Sequence, residues 1–182
     1  MCYAAAGRSI RENRMRRRSL SHEDRILRGM EIRRVETEED WAAARAIRQR
    51  VFVEEQACPP EEEWDAHDEP EARGRTCHHL LGLVDGAPVA VARWRPVELG
   101  GAPAAKLERF AVLPPWRGRG RGRRMVEATI AEAEAAGHTS FVLHAQAHLQ
   151  ELYASFGFEP VGERFEEAGI PHVKMVRRDA EE

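Results

Sequence analysis

The chain has 182 residues, 42% hydrophobic and 32% charged, the size and balance of one globular domain with a sizeable core. No apolar run approaches the roughly 18 residues a membrane helix requires, and the amino-terminal charges lead into no secretory-type apolar segment. Cys2, Cys58 and Cys77 are an odd set without paired spacing, which disfavours a disulfide framework or cysteine zinc site and fits a reducing, cytoplasmic setting.

Residues 1–29 carry eight arginines against Glu12, Glu23 and Asp24, a formal +5 that leaves −8 for the rest of a chain whose total is −3. Such an arm can hold nucleic acid or anionic lipid. It lacks interleaved aromatics and a helical apolar stripe, so it reads as a flexible, dispensable leader to a domain over 30–178, with Met30 a candidate natural start. The weight of Arg, Ala and Gly suggests a GC-rich bacterial source.

Glu31–Val35 reads as a strand. Thr37 with Asp40 has the capping-box shape, and Trp41, Ala44, Ile47, Arg48 and Val51 follow at helical spacing. From Glu54 to Glu71 nine carboxylates and three prolines predict a long loop. His79–Val84 and Val89–Arg95 form a hairpin about Asp85-Gly86, residues that tolerate positive φ. A Gly/Pro-rich loop, Leu99–Ala104, precedes a strand, Lys106–Leu113, which Pro114 and Pro115 end.

Next come Gly118, Gly120 and Gly122, a helix to about Ala136 stopped by Gly137, and a strand, Ser140–Gln146. Leu149, Leu152, Tyr153 and Phe156 mark a short helix closed by Gly157. Phe158–Phe165 and His172–Arg177 are strands about a Gly169-Ile-Pro turn. This order predicts a mixed α/β fold, a mixed sheet flanked by helices, with a right-handed parallel βαβ unit at its centre.

The glycines separate a strand from a helix start, where unpaired amides and the positive dipole end favour phosphate. Arg117, Arg119, Arg121, Arg123 and Arg124 add positive charge. Gly122 is followed by two arginines, which excludes a P-loop, and the glycine spacing and late strand exclude a dinucleotide fold. An Arg-Gly RNA-binding segment and a merely basic turn stay open. Cys77, His78 and His79 with His67 and Asp68 match no metal-ligand spacing, so no metal site is expected.

The segment Leu107-Glu-Arg-Phe-Ala-Val-Leu-Pro-Pro-Trp-Arg-Gly-Arg-Gly-Arg-Gly122 resembles the acetyl-CoA-binding motif of the GNAT superfamily of N-acetyltransferases. The family's Arg/Gln-x-x-Gly-x-Gly/Ala pattern falls on Arg117, Gly120 and Gly122. Leu152-Tyr-Ala-Ser-Phe-Gly-Phe158 resembles the family's later helix, and the likeness spans residues 30–177. Arg48–Gln56, His144-Ala-Gln-Ala-His148 and Phe165–Met175 resemble the ElaA-like branch. The first of these is also similar to acyl-homoserine lactone synthases, which share the fold.

The resemblance implies an acetyl-CoA-dependent N-acetyltransferase whose acceptor is a primary amine of a small molecule or peptide, attacking directly. It places pantetheine along Phe110, Ala111 and Val112, one of whose amides would be the oxyanion donor. The pyrophosphate would lie on the amides of Arg117, Gly118, Arg119, Gly120, Arg121 and Gly122. Gln146 stands where many members have an Asn that reaches the cofactor. Tyr153 would be the acid for the leaving thiolate and Glu108 the base, through water. Read without the family, Tyr153 suits a core aromatic, and Glu108 a solvated charge beside Arg109. His172 and Glu55 are candidates for acceptor binding; His144 and His148 are weaker ones. The acidic segment would either steer a cationic acceptor or be a solvated surface. A non-catalytic acyl-CoA-binding module and an Arg-rich nucleic-acid-binding protein are the rival readings, the second disfavoured; a homodimer stays open.

Overall fold

The computed structural model describes residues 29–178, so the predicted leader, save its last residue, lies outside the described residues. Strand β1 (Met30–Arg34) leads to helix α1 (Glu38–Arg48). Thr37 caps the helix, its Oγ1 accepting from the Asp40 amide at 3.1 Å. Glu38, Glu39 and Asp40 in the first turn and Arg45 and Arg48 in the last complement the helix dipole. The helix runs on as a π-helical turn, Gln49–Glu55, which carries Val51 and Phe52 inward as predicted.

The acidic stretch differs from the long loop predicted. It folds into a short helix α2 (Pro60–Glu63), started by proline, and a 3₁₀ turn, Ala66–Asp68, capped by Asp65. Glu63 and Asp68 are 2% and 9% exposed, so this is no simple solvated surface.

Strands β2 (His78–Val84) and β3 (Ala87–Leu99) form the predicted hairpin, with Asp85 and Gly86 at φ 51° and 79°. The predicted loop at Leu99–Ala104 is instead a second tight hairpin. Gly100 and Gly101 turn it at φ 63° and 83°, and strand β4 (Ala102–Val112) begins at once. Pro96 and Pro103 lie beyond the last β2 and β5 pairings, on open strand edges that tolerate a residue without an N–H.

Helix α3 (Arg121–Ala135), strand β5 (Ser140–Gln146) and helix α4 (Gln150–Ala154) follow as predicted. The strand expected over Phe158–Phe165 shrinks to β6 (Glu159–Pro160), because Gly162, Glu163 and Arg164 supply no apolar side chain to bury. A hairpin of β7 (Phe165–Glu167) and β8 (Ile170–Arg178) turns at Ala168-Gly169, so Ile170 and Pro171 are in the strand rather than the turn.

The sheet order is β1-β2-β3-β4-β5-β8-β6, with β7 on β8. Among the strands of the described residues only β4 and β5 pair in parallel, joined through α3 as the predicted βαβ unit requires. Helices α3 and α4 cover one face through Met125, Val126, Ile130 and Tyr153. Helix α1 covers part of the other, burying Trp41, Ala44 and Ile47 against Leu81 and Val91.

Candidate active site

Strand β4 contains an extra residue. Val91 opposes Ala111 while Arg93 opposes Glu108, so two β4 residues face one on β3, and Arg109 sits at φ 57°. Such a bulge reverses which face every later side chain meets. Leu107 packs on the α3 side, and so do Phe110 and Val112, three and five residues on, while Ala111 turns to the α1 side. Arg109 is held in this conformation by an ion pair to Glu63 (Nε to Oε2, 2.8 Å) and hydrogen bonds to the Glu62 and Glu63 carbonyls.

Strands β4 and β5 pair only at Ala105–Phe141 and Lys106–Val142. Beyond these residues they part, and a cavity of about 410 Å³ opens between them through the sheet. On the α3 side it is walled by the glycine loop, Leu149, Leu152 and Tyr153. On the α1 side Phe52, Gln56, Cys58, Glu62, His144 and His172 close around it.

Nine of the ten residues expected to bind cofactor line this one cavity: Phe110, Ala111, Val112, Arg117, Gly118, Gly120, Arg121, Gly122 and Gln146. Arg119 is exposed outside it. Gly118 and Gly120 adopt φ 72° and 71°, and Gly120 caps α3 from a left-handed conformation. Gly122 is helical, and a Cβ there would meet only Val112 at 3.9 Å. Packing does not demand that glycine; close approach of a ligand would. The first helical bond runs from the Arg124 amide to the Gly120 carbonyl, leaving the amides of Arg121, Gly122 and Arg123 without helical partners. These amides and the open edge of β4 suit an anionic group bearing an extended chain.

Two loop arginines are used within the protein. Arg117 donates from Nε to the Val112 carbonyl (2.8 Å) and from Nη2 to Glu55 (2.8 Å), whose carboxyl it holds below the usual range. Glu55, expected at the acceptor, therefore braces the anion loop instead and lies outside the cavity lining. Arg121 is 3% exposed, its guanidinium over the Trp116 ring at 5.1 Å. Gln146 donates to Gln56 at 3.1 Å, tying β5 to the end of the π turn.

Tyr153 is 5% exposed, between Phe110 and Phe158, and burial pushes its phenol well above the usual range. Glu108 also borders the cavity, but its Oε1 meets Arg93 and Arg95 at 2.9 Å each, and its Oε2 lies 3.4 Å from Lys106. Burial works to raise its carboxyl, and the charges of Arg93, Lys106 and Arg95 outweigh it, leaving the group below its usual range. A carboxylate so stabilised is a poor proton acceptor.

Glu108 belongs to a charged web beneath the cavity that sequence reading missed. Arg48, fully buried, holds both oxygens of Asp68 (2.6 and 2.9 Å) and pairs with Glu63. Arg93, 1% exposed, joins Asp65, Asp68 and Glu108. The signals were an arginine on the apolar stripe of α1, another inside the apolar run Val89–Arg95, and the nine carboxylates of Glu54–Glu71 between them.

Around the acceptor side, His172 Nδ1 lies 2.7 Å from the Ile170 carbonyl, and His144 Nδ1 lies 3.0 Å from Glu167 Oε2. His78 and His79 point apart, one stacked on Trp94 and the other with its Nε2 3.2 Å from Asp68 Oδ1.

A family profile described as an acetyltransferase (GNAT) domain matches residues 52–178. The chain belongs to the GNAT acetyltransferase family. A Bacillus subtilis (strain 168) protein designated an acetyltransferase is 35% identical, over 82% of this chain and 97% of its own. An acyl-CoA N-acyltransferase from Pseudomonas aeruginosa is 32% identical with a TM-score of 0.69, covering 81% of this chain and 97% of that one. ElaA of Escherichia coli is 30% identical with a TM-score of 0.69, covering 82% and 99%. This GNAT enzyme is thus an N-acetyltransferase with the family's mixed α/β fold, and the family uses acyl-CoA. Among its described residues no helix is long and apolar enough to cross a membrane.

Proposed function

We propose that this enzyme transfers the acetyl group of acetyl-CoA to a primary amine of a small molecule by direct attack. The observation that carries this is the parting of β4 and β5, which joins the anion loop on one face to an acidic, histidine-bearing pocket on the other. The amides of Gly118 to Gly122 hold the pyrophosphate, and the open edge of β4 at Phe110–Val112 takes the pantetheine and supplies an amide for the oxyanion. Tyr153, kept protonated by burial, donates toward the sulfur as the C–S bond breaks. Glu62 and Glu167 on the acceptor side favour a cationic amine, and His172 contacts it.

Cys58 lines the same cavity, yet burial and then Glu63 and Glu62 push its thiol upward. A thiol held protonated is a weak nucleophile, which favours direct transfer over an acyl-cysteine intermediate.

Calorimetric titration with acetyl-CoA tests the cofactor half. The wild type is expected to bind at micromolar Kd. Gly120→Glu, which forces a side chain and a negative charge onto a left-handed cap, is expected to lose at least about tenfold in affinity, about 1.4 kcal/mol. Wild-type protein that binds no acetyl-CoA would refute the proposal.

A further inference from the structure

Glu108, the carboxylate nominated as base, is occupied by Arg93, Arg95 and Lys106. An amine reaches the enzyme largely as its ammonium, so some other group must take a proton before attack. Cross-strand register puts His144, Gln146 and His172 on one sheet face, and β7 adds Phe165 opposite His172 and Glu167 opposite Ile170. That face looks into the acceptor side of the cavity, which both His144 and Glu167 line.

The imidazole of His144 is fixed twice. Its Nδ1 lies 3.0 Å from Glu167 Oε2, and its ring meets the Phe165 ring nearly at right angles with centroids 5.0 Å apart. Glu167 is itself placed by the tight β7–β8 turn, where Ala168 and Gly169 adopt φ 49° and 73°. The hydrogen bond from His144, working against burial, holds Glu167 below the usual carboxyl range. An ionised carboxylate can only accept, so the hydrogen sits on Nδ1 and the Nε2 lone pair is left for another proton. A base oriented by a third group is the logic of activated nucleophiles generally.

We propose that His144, oriented by Glu167, is the base that deprotonates the acceptor ammonium. The proposal rests on the acetyltransferase reading above. His144 Nε2 takes one proton from the ammonium and later releases it to solvent. The freed nitrogen pair forms the C–N bond to the thioester carbon, and the C–S pair leaves on sulfur. The second proton lost by nitrogen balances the one that ends on the thiol of CoA, delivered by Tyr153. Beside the ring stand Glu167, His172 and, opposite it in register, Lys174. Across the cavity are Lys106 of β4 and Cys58, Glu62 and Glu63 of the acidic segment. Of these, Glu167 makes the direct contact and sets the orientation of the ring.

The test follows CoA thiol release from acetyl-CoA with benzylamine and with spermidine as probe amines, across pH. It also reads from the nitrogen NMR signals of the His144 ring which nitrogen carries the hydrogen. Wild-type kcat/KM is expected to rise with pH along a limb set by a base that must be unprotonated. In wild type the ring signals should place the hydrogen on Nδ1, and Glu167→Gln should lower kcat by about tenfold with acetyl-CoA affinity unchanged. His144→Gln should abolish the limb and cost about 10²–10⁴-fold in kcat, with calorimetric affinity for acetyl-CoA unchanged. An active wild type whose His144→Gln variant keeps its rate and pH limb overturns the dyad alone. So does a wild-type His144 ring that carries its hydrogen on Nε2. A wild type that binds acetyl-CoA but is inert to both amines overturns the transfer reading and the dyad's role together.

Discussion

Tyr153 lies on the stripe Leu149, Leu152 and Phe156, where it is at once a core aromatic and a wall of the cavity. The core reading therefore holds, and the acid reading is a proposal that its phenol chemistry tests. Because burial holds the phenol protonated through the neutral range, it can donate toward developing charge on sulfur. Tyr153→Phe keeps the packed ring and is expected to lower kcat by about 10²-fold or more while leaving acetyl-CoA affinity and Tm unchanged. Stopped-assay CoA release, calorimetry and a thermal melt read the three quantities; an unaltered kcat would remove Tyr153 from the chemistry. Glu108 shows the converse. Its place on β4 was legible, but whether a carboxylate is free or bound depends on Arg93, Arg95 and Lys106, and no spacing reveals that three cations converge on it.

The elements that position the site were mostly legible, and the exceptions are instructive. Alternation and turn chemistry located the β2–β3 turn, α3 and β5 nearly to the residue, although β3 runs four residues past the predicted Arg95, to Leu99. The β4 bulge was not legible, because Leu107, Phe110 and Val112 look like an ordinary apolar run until their faces are known. Arg109 carries the conformational cost there, about 1–2 kcal/mol for a side chain at positive φ, offset by its hold on Glu63. Arg109→Gly and Arg109→Ala lose the same ion pair, but only glycine relieves the backbone. The glycine variant is therefore expected to be the more stable by about 1 kcal/mol, a Tm difference of about 2–4 °C. Equal melting temperatures would show that the bulge is not strained. The second hairpin at Gly100-Gly101 was hidden for another reason: prolines near a turn signal a loop, and only the finished sheet reveals that their edges are open.

Across the whole molecule the acidic segment is riveted to the sheet by buried ion pairs rather than left in solvent. Asp68→Asn removes the anion shared by Arg48 and Arg93, and breaking one side of a buried pair costs about 3–5 kcal/mol. At this chain length that is a Tm loss of about 10 °C. The pH dependence follows from direction. Burial works to raise Asp68, but hydrogen bonds from His79 and Arg48 and the charges of Arg48 and Arg93 hold it far below its usual range; Glu108 is also lowered. Their stabilisation is present above the ordinary carboxylate range and is lost as pH falls through and below about 4, where the unfolded chain takes protons first. Glu63, raised by burial, works in the opposite sense and softens the slope. Thermal melts from about pH 6 to 3 should show wild-type Tm falling with acid, and a flatter fall for Asp68→Asn. Parallel slopes would sever the web from acid stability. Most of the strand and helix order and the glycine loop were readable in the chain, because they rest on periodicity, glycine conformation and helix-end amides, all local; the family came from the resemblance of its motifs. Only the tertiary structure decided which charges are spent on one another and which face the cavity. Arg48, Asp68, Arg93 and Glu108 meet across separations of 15–25 residues, and His144 meets Glu167 across 23. An ion pair is fixed by distance in space and by burial, and neither is written in any local stretch of the chain.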